Sequence, residues 1–344
     1  IPVKRILLDI AYEGTNYCGW QFQPNGLTIE EVLDRELSAL LGEDIRVIGA
    51  SRTDSGVHAW QNVCVFDTGT RIPPEKIAFA INARLPEDIR VQGSREVPPD
   101  FHPRKRNTLK TYEYRILNRR VPFPALRRDT YFVYAPLDVG AMREALSYLV
   151  GEHDFKSFAS EPLQAEETIR TITSAQITCE EFSPGGGRLI TIRLTGTGFL
   201  THMVRIISGT LIKIGKGQWP SSRMKEALDA CDRQAAGPKA PAEGLTLISI
   251  EDVTGLAPVE HVENDRWDYT IYRLRTGGRL LAADTAPSEE ELRGECAGAE
   301  RIMPGEHYAV HIFFHRCAPE YELRNASRLT RQAFRDRADS VLIR

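Results

Sequence analysis

The stretch SRTDSGVHAWQNVCVF, residues 51–66, opens like a surface turn and closes like a buried strand. Asp54, Ser55 and Gly56 are what a turn asks for, side-chain capping from the first two and freedom for positive φ from the third. Beyond them, NVCVFDT reads as a β-strand rich in branched and aromatic residues. A plain turn accounts for the composition. It does not account for the placing of Arg52, Asp54 and His58 together at the mouth of a strand, where a carboxylate could face a cleft.

Outward from this stretch, the chain alternates strand and helix signals. VKRILLDIAYEG reads as a strand. TIEEVLDRELSALLG (28–42) reads as a helix, opened by the Thr28-x-x-Glu31 capping box and closed on Gly42. IRVIGA is expected to be a strand, PPEKIAFAINARL a helix with proline near its start, and IRVQGSREV a strand. After residue 106 the order recurs. DTYFVYAP is followed by the helical DVGAMREALSYLVG, then by a hairpin of TITSAQITCEEF and RLITIRLTGTGF joined through SPGGG (183–187). Helices over THMVRIISGTLIKIGKG and SSRMKEALDAC and a closing strand LTLISIEDV complete the set. Two successive β-α-β-β-α-β halves predict an α+β fold made of two pseudo-repeated units, each an antiparallel sheet with helices. The expected segments are an N-terminal half at 1–106, a second half at 107–255 and an appended α+β domain at 256–344, with a site in a cleft between the halves.

Composition fits a globular protein, with hydrophobic residues at 42% and charged residues at 26% of 344. The apolar runs fall far short of the ~18 residues of a membrane span. Six cysteines occur singly, with no CxxC pair, as expected of reduced thiols rather than disulfides or a zinc site. No apolar leader opens the chain, so a cytoplasmic location is expected; Ile at position 1 implies that an initiator Met and a few residues preceded it.

The net charge of −3 hides a local field. Between residues 104 and 128, nine cations (Arg104, Lys105, Arg106, Lys110, Arg115, Arg119, Arg120, Arg127, Arg128) face one acid, Glu113. Tyr112 and Tyr114 lie among them. Cations interleaved with aromatic rings suit unpaired nucleic acid, whose phosphates and unstacked bases need both. An edge strand with a solvated charged face would have the same composition.

Two further constellations stand out. In the tail, His307, His311 and His315 recur every fourth residue beside Cys317, which resembles a metal comb on a helix. Tyr308, Val310, Ile312 and Phe314 alternate with them, which is strand periodicity. On a strand, residues four apart are ~13 Å from each other, too far to share an ion. The expectation is therefore a strand and no metal, with a turn at Gly277 and Gly278 and a last helix over SRLTRQAFRDRA. The tail also holds thirteen Arg and no Lys. In GTGFLTHMVRIISGTLIKIGKG (196–217), Met203, Ile206, Ile207, Leu211 and Ile214 form an apolar helical face, which brings Arg205 close to the core. A buried guanidinium needs a carboxylate. Structural ion pairing alone would satisfy it, and Asp54 could supply it.

Taken together, YEGTNYCGWQ (12–21), SRTDSGVHA (51–59), FHPR (101–104), KTYEYRI (110–116), GEHDFKSF (151–158), RTI (170–172), the 198–217 segment and APAEGLTL (240–247) resemble the TruA family of tRNA pseudouridine synthases, in family order from about residue 3 to 252. The resemblance implies the pseudouridine synthase fold, with RRM-like halves around a basic cleft. It implies that Asp54 is the catalytic aspartate, Arg205 its ionic partner, Tyr112 the ring packed on the target base, and Arg52 the side chain that holds that base out of its stack. His58, Arg104, Lys105, Arg106, Lys110 and Arg115 are then expected to contact RNA. The implied reaction isomerises uridine to pseudouridine on the 3′ side of the tRNA anticodon stem-loop without cofactor or metal, in a homodimer with each RNA lying across two subunits. Two departures, Gln61 where the family has glycine and Thr201 where it has tyrosine, bear on RNA contacts. Competing readings are a synthase for another RNA or tRNA position, an RNA-binding relative without catalysis, and a tail that is itself the functional domain.

Overall fold

The computed structural model describes residues 2–252, apart from 164, 166 and 183–185, together with strands at 257–263, 267–274, 307–314 and 340–343. The chain divides into two compact units, Ile1–Asp252 and Val253–Arg344.

The first unit is built on one large, mostly antiparallel sheet. Its elements in chain order are β1 (Lys4–Tyr12), α1 (Ile29–Leu41), β2 (Ile48–Gly49), β3 (His58–Thr68), α2 (Ile77–Asn82), β4 (Ile89–Val97), β5 (Thr108–Asn118), β6 (Tyr131–Val133), α3 (Val139–Ser147), β7 (Gly151–Asp154), β8 (Ile169–Glu181), β9 (Arg188–Gly196), α4 (Met203–Gly215), α5 (Arg223–Ala230) and β10 (Leu245–Asp252). The strands run in the order β4-β1-β3-β10-β5-β9-β8-β7, with β2 beside β3 and β6 beside β5. This mixed α+β architecture meets the expected class. No helix among the described residues is long and apolar enough to cross a membrane.

Local chemistry explains most elements. Thr28 caps α1 by accepting from the Glu31 amide at 3.3 Å, and Gly42 ends the helix in the left-handed region at φ 69°. Between those caps Ile29, Val32, Leu33 and Leu37 recur at helical spacing and are buried, each worth ~1.5–3 kcal/mol of burial. α4 differs because every residue except Lys213 is buried. Its hydroxyls donate within the helix: that of Ser208 to the Val204 carbonyl and that of Thr210 to the Ile206 carbonyl, both at 2.8 Å.

The structure corrects several expectations. IRVIGA contributes only the two residues of β2, DTYFVYAP only the three of β6, and PPEKIAFAINARL a 3₁₀ turn at Pro74–Lys76 followed by the six-residue α2. The basic strand does not lie at an edge: β5 pairs with β10 on one side and β9 on the other, so its strand residues are central to the sheet. In the second unit a four-stranded sheet runs β11 (Ala257–Glu263), β12 (Trp267–Leu274), β13 (His307–Phe314) and β14 (Ser340–Ile343). Residues 307 and 311 lie on a strand, as their alternation predicts. His315, Cys317, Gly277, Gly278 and the expected last helix fall outside the described residues.

One pairing positions the site. β3 and β10 are parallel, with His58 opposite Thr246 and Ala59 opposite Leu247. Parallel neighbours begin at the same end, so the segment before β3, which holds Asp54, and the segment before β10 emerge side by side. Leu247 in turn pairs with Tyr112 on β5, which brings the tyrosine to that same end.

Candidate active site

The loop 51–57 alternates inward and outward residues. Ser51 and Thr53 are buried, Arg52 is exposed, and Asp54 lies between these extremes. The inward residues enter a polar network: Thr53 Oγ1 lies 2.7 Å from Tyr12 Oη, Asn62 Nδ2 donates to Tyr12 Oη at 3.2 Å and to the Ser51 carbonyl at 2.9 Å, and Ser51 Oγ lies 2.9 Å from Tyr112 Oη. Burial raises both phenol pKa values, that of Tyr112 to about 12, so they stay protonated and available as donors.

A second loop clasps the first. The Trp20 amide donates to the Thr53 carbonyl at 3.0 Å, and the Ser55 hydroxyl donates to the Tyr17 carbonyl at 3.2 Å. Gly19 has φ 85°, and a Cβ there would sit 2.6 Å from the Thr53 oxygen, so only glycine lets the two backbones approach. The turn itself depends on Gly56, at φ 79°, with the Val57 amide closing back onto the Asp54 carbonyl at 3.1 Å.

Facing this loop, the first turn of α4 meets Asp54. Arg205 Nη1 lies 3.3 Å from Asp54 Oδ2, while Arg205 Nε donates to the Ala240 carbonyl at 2.8 Å. The Ala240 amide returns a bond to the Arg205 carbonyl at 3.0 Å. Ala240 belongs to a strap that crosses α4 at Gly209, where a Cβ would lie 1.8 Å from the Pro238 oxygen. The strap continues through Pro241, whose carbonyl accepts from Tyr114 Oη at 2.8 Å. A residue that sequence reasoning missed completes the carboxylate's surroundings: His202 Nε2 lies 3.5 Å from Asp54 Oδ2. Asp54 Oδ1 has no protein partner among the described residues.

The expected site residues divide into two groups. Asp54, Arg205 and Tyr112 converge, and the Tyr112 ring is fixed by an edge contact with Phe199 at 5.1 Å between centroids. Arg52 points outward from the same loop, its Nη1 3.3 Å from Gln21 Oε1. Lys110 donates to the Ala50 carbonyl at 3.2 Å, and its pKa is lowered to about 8, first by burial and then by the charges of Arg52 and Arg104. Arg104 and Lys105 are exposed with no acidic partner among the described residues. By contrast, Arg106 is paired with Asp252 at 2.9 Å and Arg115 with Asp129, and elsewhere in the basic segment Arg128 pairs with Glu13 at 3.1 Å. His58 is buried, and its Nδ1 accepts from the Gly14 amide at 3.0 Å, so in this geometry it braces the loop rather than lining a surface. Of the two family departures, Gln61 donates to Asp9 Oδ1 at 3.3 Å and the Thr201 carbonyl accepts from the Ser160 amide at 3.1 Å.

Comparison with known proteins agrees with this arrangement. The pattern of the tRNA pseudouridine synthase family matches residues 10–104 and 145–251, which include the Asp54 loop, α4 and the strap. A protein of Myxococcus xanthus named tRNA pseudouridine synthase A is 42% identical over 245 residues, covering 71% of this chain and 91% of the relative. A protein of the same name from Clostridium acetobutylicum is 44% identical over 246 residues, covering 71% and 98%. One from Thermoanaerobacter pseudethanolicus is 40% identical over 248 residues, covering 72% and 99%. With this match of sequence carried on the loop, helix and strap that surround Asp54, the chain belongs to the TruA family of tRNA pseudouridine synthases.

Proposed function

We propose that this chain converts uridine to pseudouridine in tRNA, on the 3′ side of the anticodon stem-loop, with Asp54 as the catalytic group. The observation that carries the reading is a partly exposed carboxylate held through Oδ2 by a buried arginine, its Oδ1 without a protein partner among the described residues. The isomerisation breaks the bond from C1′ to N1, turns the uracil, joins C1′ to C5, and moves a proton from C5 to N1. Atoms and electrons balance without a redox partner. A carboxylate can attack or stabilise the electron-poor sugar carbon, as in retaining glycosidases. Arg205 supplies the opposite charge. The fixed Tyr112 ring offers a surface for the extruded base, and Arg52, outward on the same loop, can occupy the gap that the base leaves. Exposed Arg104 and Lys105, with Lys110 behind them, suit backbone phosphates.

The same reading treats 1–106 and 107–255 as pseudo-repeated halves facing a basic cleft, in a cytoplasmic homodimer. Family resemblance supports the dimer; the four unbridged cysteines of the first unit are compatible with a reducing compartment. A separate role for the tail is supported by relatives whose near-entire length is matched by about 245–248 residues of this chain. A chain ending near residue 255 is accordingly expected to fold and retain turnover, and an insoluble or inert truncation would make the tail integral.

The deciding experiment incubates the protein with unmodified tRNA transcripts, adding no cofactor or metal, and maps pseudouridine by carbodiimide-dependent primer-extension stops. A stop in the anticodon arm that disappears with Asp54→Asn is the expected result. Stops elsewhere would reassign the target, and salt-sensitive binding without any stop would favour a binding-only protein.

A further inference from the structure

The backbone of His202 stands out in the first unit. It begins α4 at φ 64° and ψ 7°, left-handed for a non-glycine residue, and its side chain makes no capping bond to the helix it starts. Such a conformation is strained for a residue other than glycine. What it accomplishes is direction. The imidazole leaves the helix terminus and stands between two groups on different elements, Asp54 Oδ2 at 3.5 Å from Nε2 and Ser160 Oγ at 2.5 Å from Nδ1. Ser160 is tied to the same turn through its amide, which donates to the Thr201 carbonyl.

Chemistry fixes the tautomer. A lone pair on Nε2 would repel the carboxylate oxygen, so Nε2 carries the proton and Nδ1 is left to accept from the Ser160 hydroxyl. Burial lowers the His202 pKa and outweighs the attraction of Asp54; Lys239, Arg205 and Arg233 lower it further. The ring is thus a neutral donor at neutral pH. Arg205 Nη1, at 3.3 Å, and His202 Nε2, at 3.5 Å, then both face Oδ2, so rotation of the carboxylate would carry that oxygen away from them.

We propose that His202, oriented by Ser160, is a positioning residue for the pseudouridine synthase reaction: it locks the Asp54 carboxylate so that Oδ1 faces the target nucleotide. This rests on the catalytic reading of Asp54. The separation of 3.5 Å is long for a hydrogen bond, and such contacts in unliganded sites tighten when substrate closes them. His202 needs no contact with RNA, so its effect falls on kcat.

The test compares His202→Phe, which keeps a ring and loses the donor, with His202→Gln, which places an amide donor at the reach of Nε2. Both bear the same left-handed backbone, so strain cancels between them. Losing a hydrogen bond to a charged group is worth roughly 1.5–3 kcal/mol, so His202→Phe is expected to lower kcat about tenfold to a hundredfold while KM moves less than about twofold. His202→Gln should recover most of that loss. An unchanged kcat in His202→Phe, or equal losses in both variants, overturns the proposal. Should His202→Phe fail to fold, Ser160→Ala against Ser160→Thr asks the same question: the hydroxyl-free variant should lose kcat and the threonine restore it, and equal kcat in the two sinks it. Asp54→Asn is measured alongside. If it remains active, the catalytic reading of Asp54 has failed; if it is inert while His202→Phe is fully active, only the positioning role has.

Discussion

Among the arginine-carboxylate pairs of the first unit, two are built in opposite senses. On neighbouring strands β5 and β9, Glu113 and Arg193 sit directly in register and meet at 2.8 Å. There the carboxylate is buried at 10% exposure and the guanidinium is half in solvent at 50%. At the candidate site the guanidinium of Arg205 is the buried partner, at 10%, and the carboxylate of Asp54 is the more open one, at 24%. The Glu113 pair hides its acid and lets the long arginine reach out to water. The Asp54 pair has its arginine fixed from behind, through the Ala240 carbonyl, and presents the acid.

The largest break in that comparison comes from neutralising each acid. Asp54→Asn is expected to lower kcat by at least about a thousandfold with RNA affinity little changed, because its surroundings are retained. Glu113→Gln should leave turnover within about twofold. Single-turnover kinetics with filter binding checks both, and an active Asp54→Asn would dissolve the distinction.

Removing the arginines sharpens it. Arg205→Met strips the carboxylate of its counter-charge and leaves the Ala240 carbonyl without its donor, an unsatisfied buried group costing ~1–3 kcal/mol. Its kcat should fall by roughly tenfold to a hundredfold, and the urea midpoint should drop as well. Arg193→Met leaves the buried Glu113 carboxylate without its partner, so a stability loss of at least about 1–3 kcal/mol with turnover intact is expected.

How much of this was legible beforehand follows the same division between local and distant causes. α1 could be bounded from Thr28 and Gly42, because caps are local chemistry, and the strand after Asp54 from its alternation. Arg205 could be paired with Asp54 only through the family resemblance; the helical periodicity told that it needed a carboxylate, without saying which. The parallel pairing of His58 with Thr246 leaves no trace in either segment, since parallel partners share no turn. His202 and Ser160 were missed for that reason too: their relation to Asp54 exists only once three distant segments meet. A histidine three residues before a buried arginine was the available signal. The expected contact role of His58 rested on its neighbourhood in sequence, yet the side chain turns inward to the Gly14 amide.

Gly209 tests whether the site's rear wall is as exacting as its front. The strap carrying Ala240 crosses α4 so closely that a methyl group at residue 209 would overlap the Pro238 oxygen at 1.8 Å. Backbone on both sides leaves no flexible group to yield. Gly209→Ala would gain helix propensity of ~1 kcal/mol at an open position; here it is expected to lose about 1–3 kcal/mol by overpacking and to reduce kcat by displacing Arg205. A stabilised variant in thermal or urea unfolding would show that the strap is free to move.

The smallest effect concerns Lys110, which separates RNA contact from catalysis. Its folded-state pKa of about 8 lies below the ordinary lysine value of 10.5 because burial, then Arg52 and Arg104, disfavour its charge. Above about pH 8 the unfolded chain therefore holds a proton that the folded chain has released, so this group's contribution to stability rises with pH until free lysine also titrates. Its contribution to RNA binding runs the other way, since the phosphate-binding charge is lost over the same interval. KM should thus rise several-fold between pH 7 and pH 9 in the native protein, more than in Lys110→Arg, whose charge persists. If both respond alike, Lys110 is a buried strut like Glu113 rather than part of the RNA surface. If only the native protein responds, a cation half-hidden behind Arg52 and Arg104 has the same inverted design as Asp54: a charge kept at the edge of burial so that substrate can complete its pairing.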